Sequence, residues 1–550
     1  MSTWPRNLEL LRFSPKDSWT LDEACLGTLI TGATGSGKTT GPFQYVVRSF
    51  LRAGFGGLFL CAKIQSFDDC MQLVRAEGRE QDVVVFDLPE SQEAPAPLCF
   101  NFLTYEAQRY SQGRVIIENV ANLLSHASEI ARPSANDDKF FDNAKTQLLL
   151  HCLEVTIAAT GKVDFGVILE MVQTLPQNLN QVEEGRLRSL ELLDEAERKS
   201  GGARAKDLDM ARRYFTWEWP TMADRTRSSI AITLSVFLHR FLSFPLRELF
   251  TGELTISPDH ILKGGIVIVK LNIPDHETVS KFAGVIWKYA VQKAIERRPE
   301  LAKEPIEKVR PIFIAVDEAQ FWATKSDQLF QTTARSTRGL TVYATQNISN
   351  FHAEMAADSA GRARVDSMMG NLQNRFFCQN LQQEMNLWAS ESIGKVLVRR
   401  INAGTGVSVS HNVPAGGSTS YNQGWAEQLD YDVQPRVFDG LLRGGNKKKA
   451  SRNGKPDQKK EGQVEAIVVI AGQRFAANDE RWLRVLFDQF NDPPLWLASI
   501  NAKPWACIVS GDTPDTWFSS FRHSGSLTPM GLWRAIWRWE LARRAEKRES

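Results

Sequence analysis

The sequence is poor in cysteine, and the cysteines it has form no pattern. Cys25, Cys61, Cys70, Cys99, Cys152, Cys378 and Cys507 include no C-x-x-C pair and no regular spacing. That argues against zinc sites and a disulfide framework, and for a reducing compartment. The eight histidines are scattered without metal-ligand spacing. No apolar run approaches the roughly 20 residues needed to cross a bilayer. The opening stretch MSTWPRNLELLRFSPKDSW has neither the pattern of a signal peptide nor that of a membrane span. The expectation is a protein that is soluble or peripherally attached. Charge of one sign is also missing: the net charge is +2 over 550 residues. Nucleic-acid contact, if any, must come from local patches and not from overall charge.

Apolar residues make up 43% of the chain, enough for large cores, and the length suggests three or four domains. The most informative stretch is LITGATGSGKTTGPFQYVVRSFL, from Leu29 to Leu51. Gly32, Ala33, Thr34, Gly35, Ser36, Gly37, Lys38 and Thr39 fit G-x-x-x-x-G-K-[ST], and Thr40 follows. Glycines let the backbone curl so that successive N–H groups point at phosphate oxygens. A helix starting there adds unpaired N–H groups and the positive end of its dipole. Lys38 would reach the β- and γ-phosphates, and the Thr39 hydroxyl would hold Mg²⁺. The alternative is a chance glycine-rich turn. Against it, Gly27 to Thr31 reads as a short buried strand and Gln44 to Leu51 as a helix, so the order strand, loop, helix is right.

Two further strands carry polar tips. PIFIAVDEAQFW gives an apolar strand, Ile312 to Val316, ending in Asp317 and Glu318. Asp317 is placed to bind Mg²⁺ and Glu318 to polarise an attacking water. RSTRGLTVYATQN gives a strand, Leu340 to Ala344, ending in Thr345, Gln346 and Asn347. Polar residues there face the crevice where open α/β sheets bind ligands, and Gln346 could sense a γ-phosphate. Arg335 and Arg338 precede that strand. Either is an ordinary solvated charge or a guanidinium offered to a neighbouring subunit's nucleotide.

These patterns imply an α/β fold: a RecA-like P-loop domain with a mainly parallel sheet, plus an inserted all-α domain. Residues 1–100 read as the first part of the nucleotide-binding domain, with GGLFLCAK and DVVVFDLP as strands. Residues 101–250 read as the all-α insertion, with apolar residues at three- and four-residue steps. Residues 251–490 read as the second part, with mobile loops at 402–424, rich in Gly, Ser, Asn and Thr, and at 442–462, basic and flexible. Residues 491–550 read as a tryptophan-rich extension ending in a basic amphipathic helix. There Trp533, Trp537 and Leu541 share one face with Ile536, flanked by Arg534, Arg538, Arg543, Arg544, Lys547 and Arg548. Such a helix docks on an anionic membrane or partner groove, or packs on the protein's own core.

With these residues in view, the chain resembles the type IV secretion coupling proteins (the TraG/TraD group), soluble members included, within the FtsK–HerA class of DNA-pumping ATPases. The resemblance covers most of residues 25–490. It rests on GATGSGKTT, VVVFDLPESQEAPAPLCFNFL, DDKFFDNAKTQLL, FIAVDEAQ and TTARSTRGLTVYATQN in that order. It implies an ATPase with ATP and Mg²⁺, in which Lys38 and Thr39 match the loop pair, Asp317 and Glu318 the acidic pair, and Gln346 the sensor glutamine. Arg335 has the spacing of the family's trans-acting arginine and is preferred over Arg338. The implied partners are single- or double-stranded DNA, a relaxase or other protein substrate, a membrane channel, and further copies of the chain in an active hexamer. The implied location is cytoplasmic, peripheral to the inner membrane through a partner.

Two features depart from the family. Only 31 residues precede Gly32, too few for the two spans of anchored members, and LFLCAKIQS keeps Lys63 without the acids that often flank it. The second departure weakens any role for Lys63 beyond structure. Three readings remain: a DNA-translocating motor of conjugation or secretion, a HerA-like motor of a mobile-element or antiphage-defence complex, and a nucleotide-gated adaptor that docks substrates.

Overall fold

GGLFLC and IFIAV have no polar residue at alternate positions, and GLTVYAT has only uncharged Thr and Tyr there, so all three suit strands covered on both faces. All three are buried along their whole length. In chain order the strands are β1 (Glu9–Arg12), β2 (Ser18–Thr20), β3 (Thr28–Thr31), β4 (Gly56–Cys61), β5 (Val83–Asp87), β6 (Ile266–Lys270), β7 (Ile312–Val316), β8 (Gly339–Thr345), β9 (Asn374–Cys378), β10 (Lys395–Val409), β11 (Gly417–Tyr431), β12 (Gln463–Val469), β13 (Leu483–Asp488) and β14 (Ala498–Ser499). The computed structural model describes residues 3–89, 91, 98–109, 121, 124, 139–201, 203–355, 359–409, 417–444, 462–489 and 498–499. The chain forms two compact units. The first holds Met1–Leu10, Thr20–Leu29 and Phe43–Gln373; the second holds Leu11–Trp19, Ile30–Pro42 and Asn374–Ser550.

In the first unit β8, β7, β4, β6 and β5 lie side by side in that order, all parallel. Leu60 is in register with Val316, Val316 with Tyr343, and Cys61 with Lys270. Parallel strands of one sheet need long crossovers. The helices Ile64–Ala76, Ile273–Glu296 and Lys325–Thr337 supply three of them. Between β5 and β6 the chain is helical wherever it forms regular structure among the described residues. Its longer helices are Lys139–Thr160, Phe165–Gln173, Arg188–Lys199, Ala203–Arg213 and Asp224–Leu242. Aromatic rings fill this block: Phe165 and Phe241 stack with centroids 4.7 Å apart, and both meet Phe102 edge-on. Trp287, fully buried on the helix after β6, packs against Phe86 of β5 and Phe100.

One ionic cluster is sealed inside the first unit. Asp327 and Lys288 are both essentially unexposed, with Nζ and Oδ2 2.5 Å apart. Asp327 also accepts from Tyr343 Oη at 2.7 Å, Gln292 Nε2 at 2.7 Å and the Thr324 backbone N–H at 2.7 Å. Lys288 donates in addition to the Trp322 carbonyl. Burial pushes the Lys288 ammonium below its ordinary range, and Asp327 opposes that shift.

In the second unit β9, β12, β13 and β14 form an antiparallel sheet, with Phe377 opposite Ile467 and Ala466 opposite Val485. Buried Asp17 ties the early segment to this sheet's connections, accepting from the backbone N–H groups of Ala476 and Ala477 at 2.6 and 2.9 Å. Residues 402–424, expected as a mobile loop, lie largely within strands instead. β10 and β11 pair antiparallel without a break, from Lys395 opposite Tyr431 to Val409 opposite Gly417. Glycine and serine weaken a strand's side-chain packing, but a continuous two-stranded ladder satisfies the backbone regardless of composition. The expected loop 442–462 falls almost wholly outside the described residues, and so does 491–550 apart from β14.

Two stability predictions follow from buried polar groups. Asp327→Ala leaves the Lys288 charge buried without its counter-ion, which costs about 3–5 kcal/mol; a urea titration reads this as a large drop in midpoint, whereas a shift under 1 kcal/mol would contradict the cluster's role. His151, whose Nδ1 has no partner among the described residues, is pushed down to about 4 by burial. The unfolded chain takes up that proton near pH 6.5, before the folded one does. The stability His151 confers is therefore complete above about pH 6.5 and lost as pH falls toward 4, by roughly 3 kcal/mol. Comparing His151→Phe with the parent between pH 7 and 4 should show a shallower acid loss in the variant.

Candidate functional site

The glycine-rich loop grows from the buried end of β3 and belongs to the second unit. Its curl is set by two left-handed glycines, Gly35 at φ +73° and Gly37 at φ +84°. A Cβ on Gly35 would meet nothing within 4 Å, so the loop is open there. A Cβ on Gly37 would strike Val464 of β12 and the Arg443 carbonyl, and one on Gly32 would strike Ser36 and Cys378. The Ala33 N–H donates to the Gln379 carbonyl at 2.9 Å, which fastens the loop's first residue to the chain after β9. Thr39–Phe43 form one irregular wide turn, with Gly41 off helical geometry, before the regular helix Gln44–Arg52.

Side chains on this loop differ in exposure. Ser36 is wholly buried and its Oγ has no hydrogen-bond partner among the described residues. Lys38 is buried, Thr39 half-buried, and Thr34, Gly35 and Thr40 exposed. Thr40 Oγ1 receives a hydrogen bond from Gln489 Nε2. Burial pushes the Cys378 thiol up to about 12, and the Lys38 charge nearby opposes this. An orphaned hydroxyl, an ammonium and an open glycine on one turn fit a polyanionic group accepting from the loop.

The acid-tipped strand lies in the first unit. Asp317 follows β7; its Oδ1 accepts from the Glu318 backbone N–H at 3.1 Å and its Oδ2 from Ser66 Oγ at 3.3 Å. Glu318 takes a left-handed backbone, φ 54° and ψ 53°, rare outside glycine, asparagine and aspartate. Its carboxylate is almost fully buried and accepts from Lys63 Nζ at 3.1 Å, Gln346 Nε2 at 3.2 Å and Gln320 Nε2 at 3.1 Å. Gln320 in turn accepts from Thr345 Oγ1 at 3.0 Å. Parallel register thus brings three strand ends, after β4, β7 and β8, to one carboxylate. Lys63 and Ser66 were not expected there; no motif marks them.

Over residues 19–320 the sequence matches the protein family described as type IV secretory system conjugative DNA transfer. The chain belongs to that family. Solved structures with the same fold include the bacterial conjugative coupling protein TrwBdeltaN70 in a trigonal form with sulphate, at 13% identity, TM-score 0.54, and 91% and 92% coverage of this chain and that one. The plasmid coupling protein TrwB in complex with ADP and Mg²⁺ matches at 13% identity, TM-score 0.51, and the same coverage. TrwB in complex with the GTP analogue GDPNP matches at 14% identity, TM-score 0.50, and again 91% and 92% coverage. No curated protein sequence matches the chain significantly. The likeness to the coupling protein confirms the α/β, RecA-like fold expected from the sequence. Among the described residues no helix is long and apolar enough to cross a membrane.

In this conjugative-transfer protein the two arginines differ sharply. Arg338 is buried at the left-handed end of the helix Lys325–Thr337 and donates to the Val309 carbonyl. It is a structural cap and not a solvated charge. Arg335 is half-exposed and pairs with Asp22, Nη2 to Oδ2 at 2.6 Å.

The loop geometry predicts unequal effects of two glycine substitutions. Gly35→Ala carries only the left-handed backbone penalty, about 1 kcal/mol. Gly37→Ala adds overlap with Val464 and the Arg443 carbonyl, roughly 1–3 kcal/mol more. Thermal denaturation of the two variants checks the order; equal losses would contradict the packing of Gly37.

Proposed function

We propose that the chain is an ATP-hydrolysing ring motor that moves DNA, or a DNA–protein conjugate, in conjugative transfer. The observation that carries this is the pair of polar assemblies: a glycine loop with a buried lysine and a buried hydroxyl that has no partner among the described residues, and a strand-end glutamate held by a glutamine at the end of the neighbouring strand. Family membership and the ADP·Mg²⁺ and nucleotide-analogue complexes of the fold relative support the same reading.

The roles follow from chemistry. Backbone N–H groups of Gly32 to Thr40 cradle the phosphates, and Lys38 neutralises the transferring charge. Thr39 and Asp317 carry hard oxygen donors that would hold Mg²⁺, and the ion would supply positive charge to the phosphates. Glu318 accepts a proton from the attacking water, and Gln346, bonded to Glu318, reports on the occupancy of the γ-position. Arg335 stands on the outer face of its helix, where a guanidinium could serve a neighbouring subunit's nucleotide if it left Asp22. The partners in this reading are single- or double-stranded DNA, a relaxase or similar cargo, and a channel at the inner membrane that holds the motor at its cytoplasmic side. The active form is a hexamer.

The test is ATP hydrolysis with and without single- and double-stranded DNA. The parent should be stimulated by DNA. Lys38→Ala should lose both binding and turnover, while Glu318→Gln should bind ATP and lose at least a hundredfold in rate. Parental turnover by Lys38→Ala would remove the reading, and slow DNA-independent hydrolysis would favour a nucleotide-gated adaptor.

A further inference from the structure

Cys61 is the last residue of β4, and Cys70 lies on the second turn of the helix Ile64–Ala76 that follows it. Both are buried, and the Cys61 Sγ–H donates to Cys70 Sγ at 3.8 Å. Among the described residues every cysteine is a free thiol. A buried cysteine is ordinarily a small apolar filler. Two features set this pair apart. The sulfurs face each other closely enough that a closure of about 1.8 Å, taken up by side-chain rotation and a small helix shift, reaches disulfide length. And the eight residues between them carry Lys63 and Ser66, which donate to Glu318 at 3.1 Å and to Asp317 at 3.3 Å. Lys63, Ile64 and Gln65 are exposed, so solvent reaches the turn that joins the two cysteines.

We propose that Cys61 and Cys70 are a modification site: hydrogen peroxide joins them in a reversible disulfide, and the bond slows ATP turnover by displacing the start of the helix Ile64–Ala76. The disulfide stands on the two sulfurs alone, whereas its effect on turnover deepens the motor reading and rests on it. The Cys61 thiol gives up its proton to solvent, and its sulfur attacks one peroxide oxygen. The O–O bond breaks, the departing oxygen leaves with a proton as water, and Cys61 becomes a sulfenic acid. Cys70 Sγ then attacks the Cys61 sulfur. The S–S bond forms, the S–O bond breaks, and a second water leaves with the Cys70 proton. The two thiols lose two electrons and the peroxide gains them. The Cys70 thiol is held well above its ordinary range, by its hydrogen bond with Cys61 first and by burial second. The pair is therefore slow to oxidise at rest, in keeping with a compartment where protein disulfides are transient and sensing. Lys63 and Ser66 ride on the segment that the bond tightens, so the donors to Glu318 and Asp317 move with it. A misplacement of about 1 Å around reacting groups can cost on the order of a hundredfold in rate.

The experiment treats the full folded chain with hydrogen peroxide and then with dithiothreitol. Trypsin cleaves after Arg52, Lys63 and Arg75, so the two cysteines fall in separate fragments, 53–63 and 64–75. Mass spectrometry of the oxidised protein should find these fragments linked, and reduction should part them. ATP turnover of the parent should fall roughly tenfold on oxidation and return with dithiothreitol. Cys61→Ser and Cys70→Ala should give no linked fragments, turn over ATP as the reduced parent does, and keep that rate through peroxide; where one variant fails to fold, the other carries the comparison. Fragments that stay separate after peroxide treatment of the folded parent would overturn the proposal, and so would linked fragments with an unchanged rate. If the reduced parent hydrolyses no ATP, the motor reading fails, and the linked fragments alone then decide the disulfide.

Discussion

Parallel pairing forces strand ends of one polarity onto one edge. In the first unit five strands obey that constraint, and their registers decide which side chains meet. Because Leu60 is level with Val316 and Val316 with Tyr343, the residues just beyond β4, β7 and β8 emerge together. Lys63, Asp317, Glu318, Thr345 and Gln346 are then neighbours, although up to 283 positions separate them along the chain. At the far edge, Asp87 at the end of β5 is in register with Lys270 at the end of β6 and pairs with it at 2.7 Å by the same logic. A one-residue slip of β7 would turn Glu318 away and leave its three donors without an acceptor, so register and chemistry are a single requirement.

The sealed cluster of Lys288, Asp327 and Tyr343 works behind that edge. Asp327 joins the helix after β6, the helix before β8 and β8 itself through Gln292, Thr324 and Tyr343. Such a buried network contributes little net stability but is intolerant of partial loss, and it fixes how the crossover helices lie on the sheet. In the second unit the loop depends on contacts that exclude a side chain. Val464 and the Arg443 carbonyl crowd Gly37, and Cys378 and Ser36 crowd Gly32. The glycine pattern is therefore a packing requirement as well as a conformational one.

Much of this was legible in the sequence. The glycine loop between strand and helix, the acid-tipped strand and the glutamine-tipped strand all carry residue types that only one geometry uses well. Continuous apolar runs announced parallel strands, and the helical periodicity after residue 100 matches helices. What stayed hidden depends on distant pairing. The 395–431 hairpin was masked by its Gly, Ser and Asn content, because a backbone ladder leaves no composition signal. The burial of Arg338 follows from its place at a helix end, not from its charge. Lys63 looked merely structural because its partner lies 255 positions away.

The central proposal is that the glycine loop cradles the phosphates of ATP. The most direct measurement is a structure of the full chain with a non-hydrolysable ATP analogue, Mg²⁺ and DNA. The account predicts phosphates against the backbone of residues 32–40 and the Lys38 ammonium. A nucleotide bound elsewhere would contradict the account.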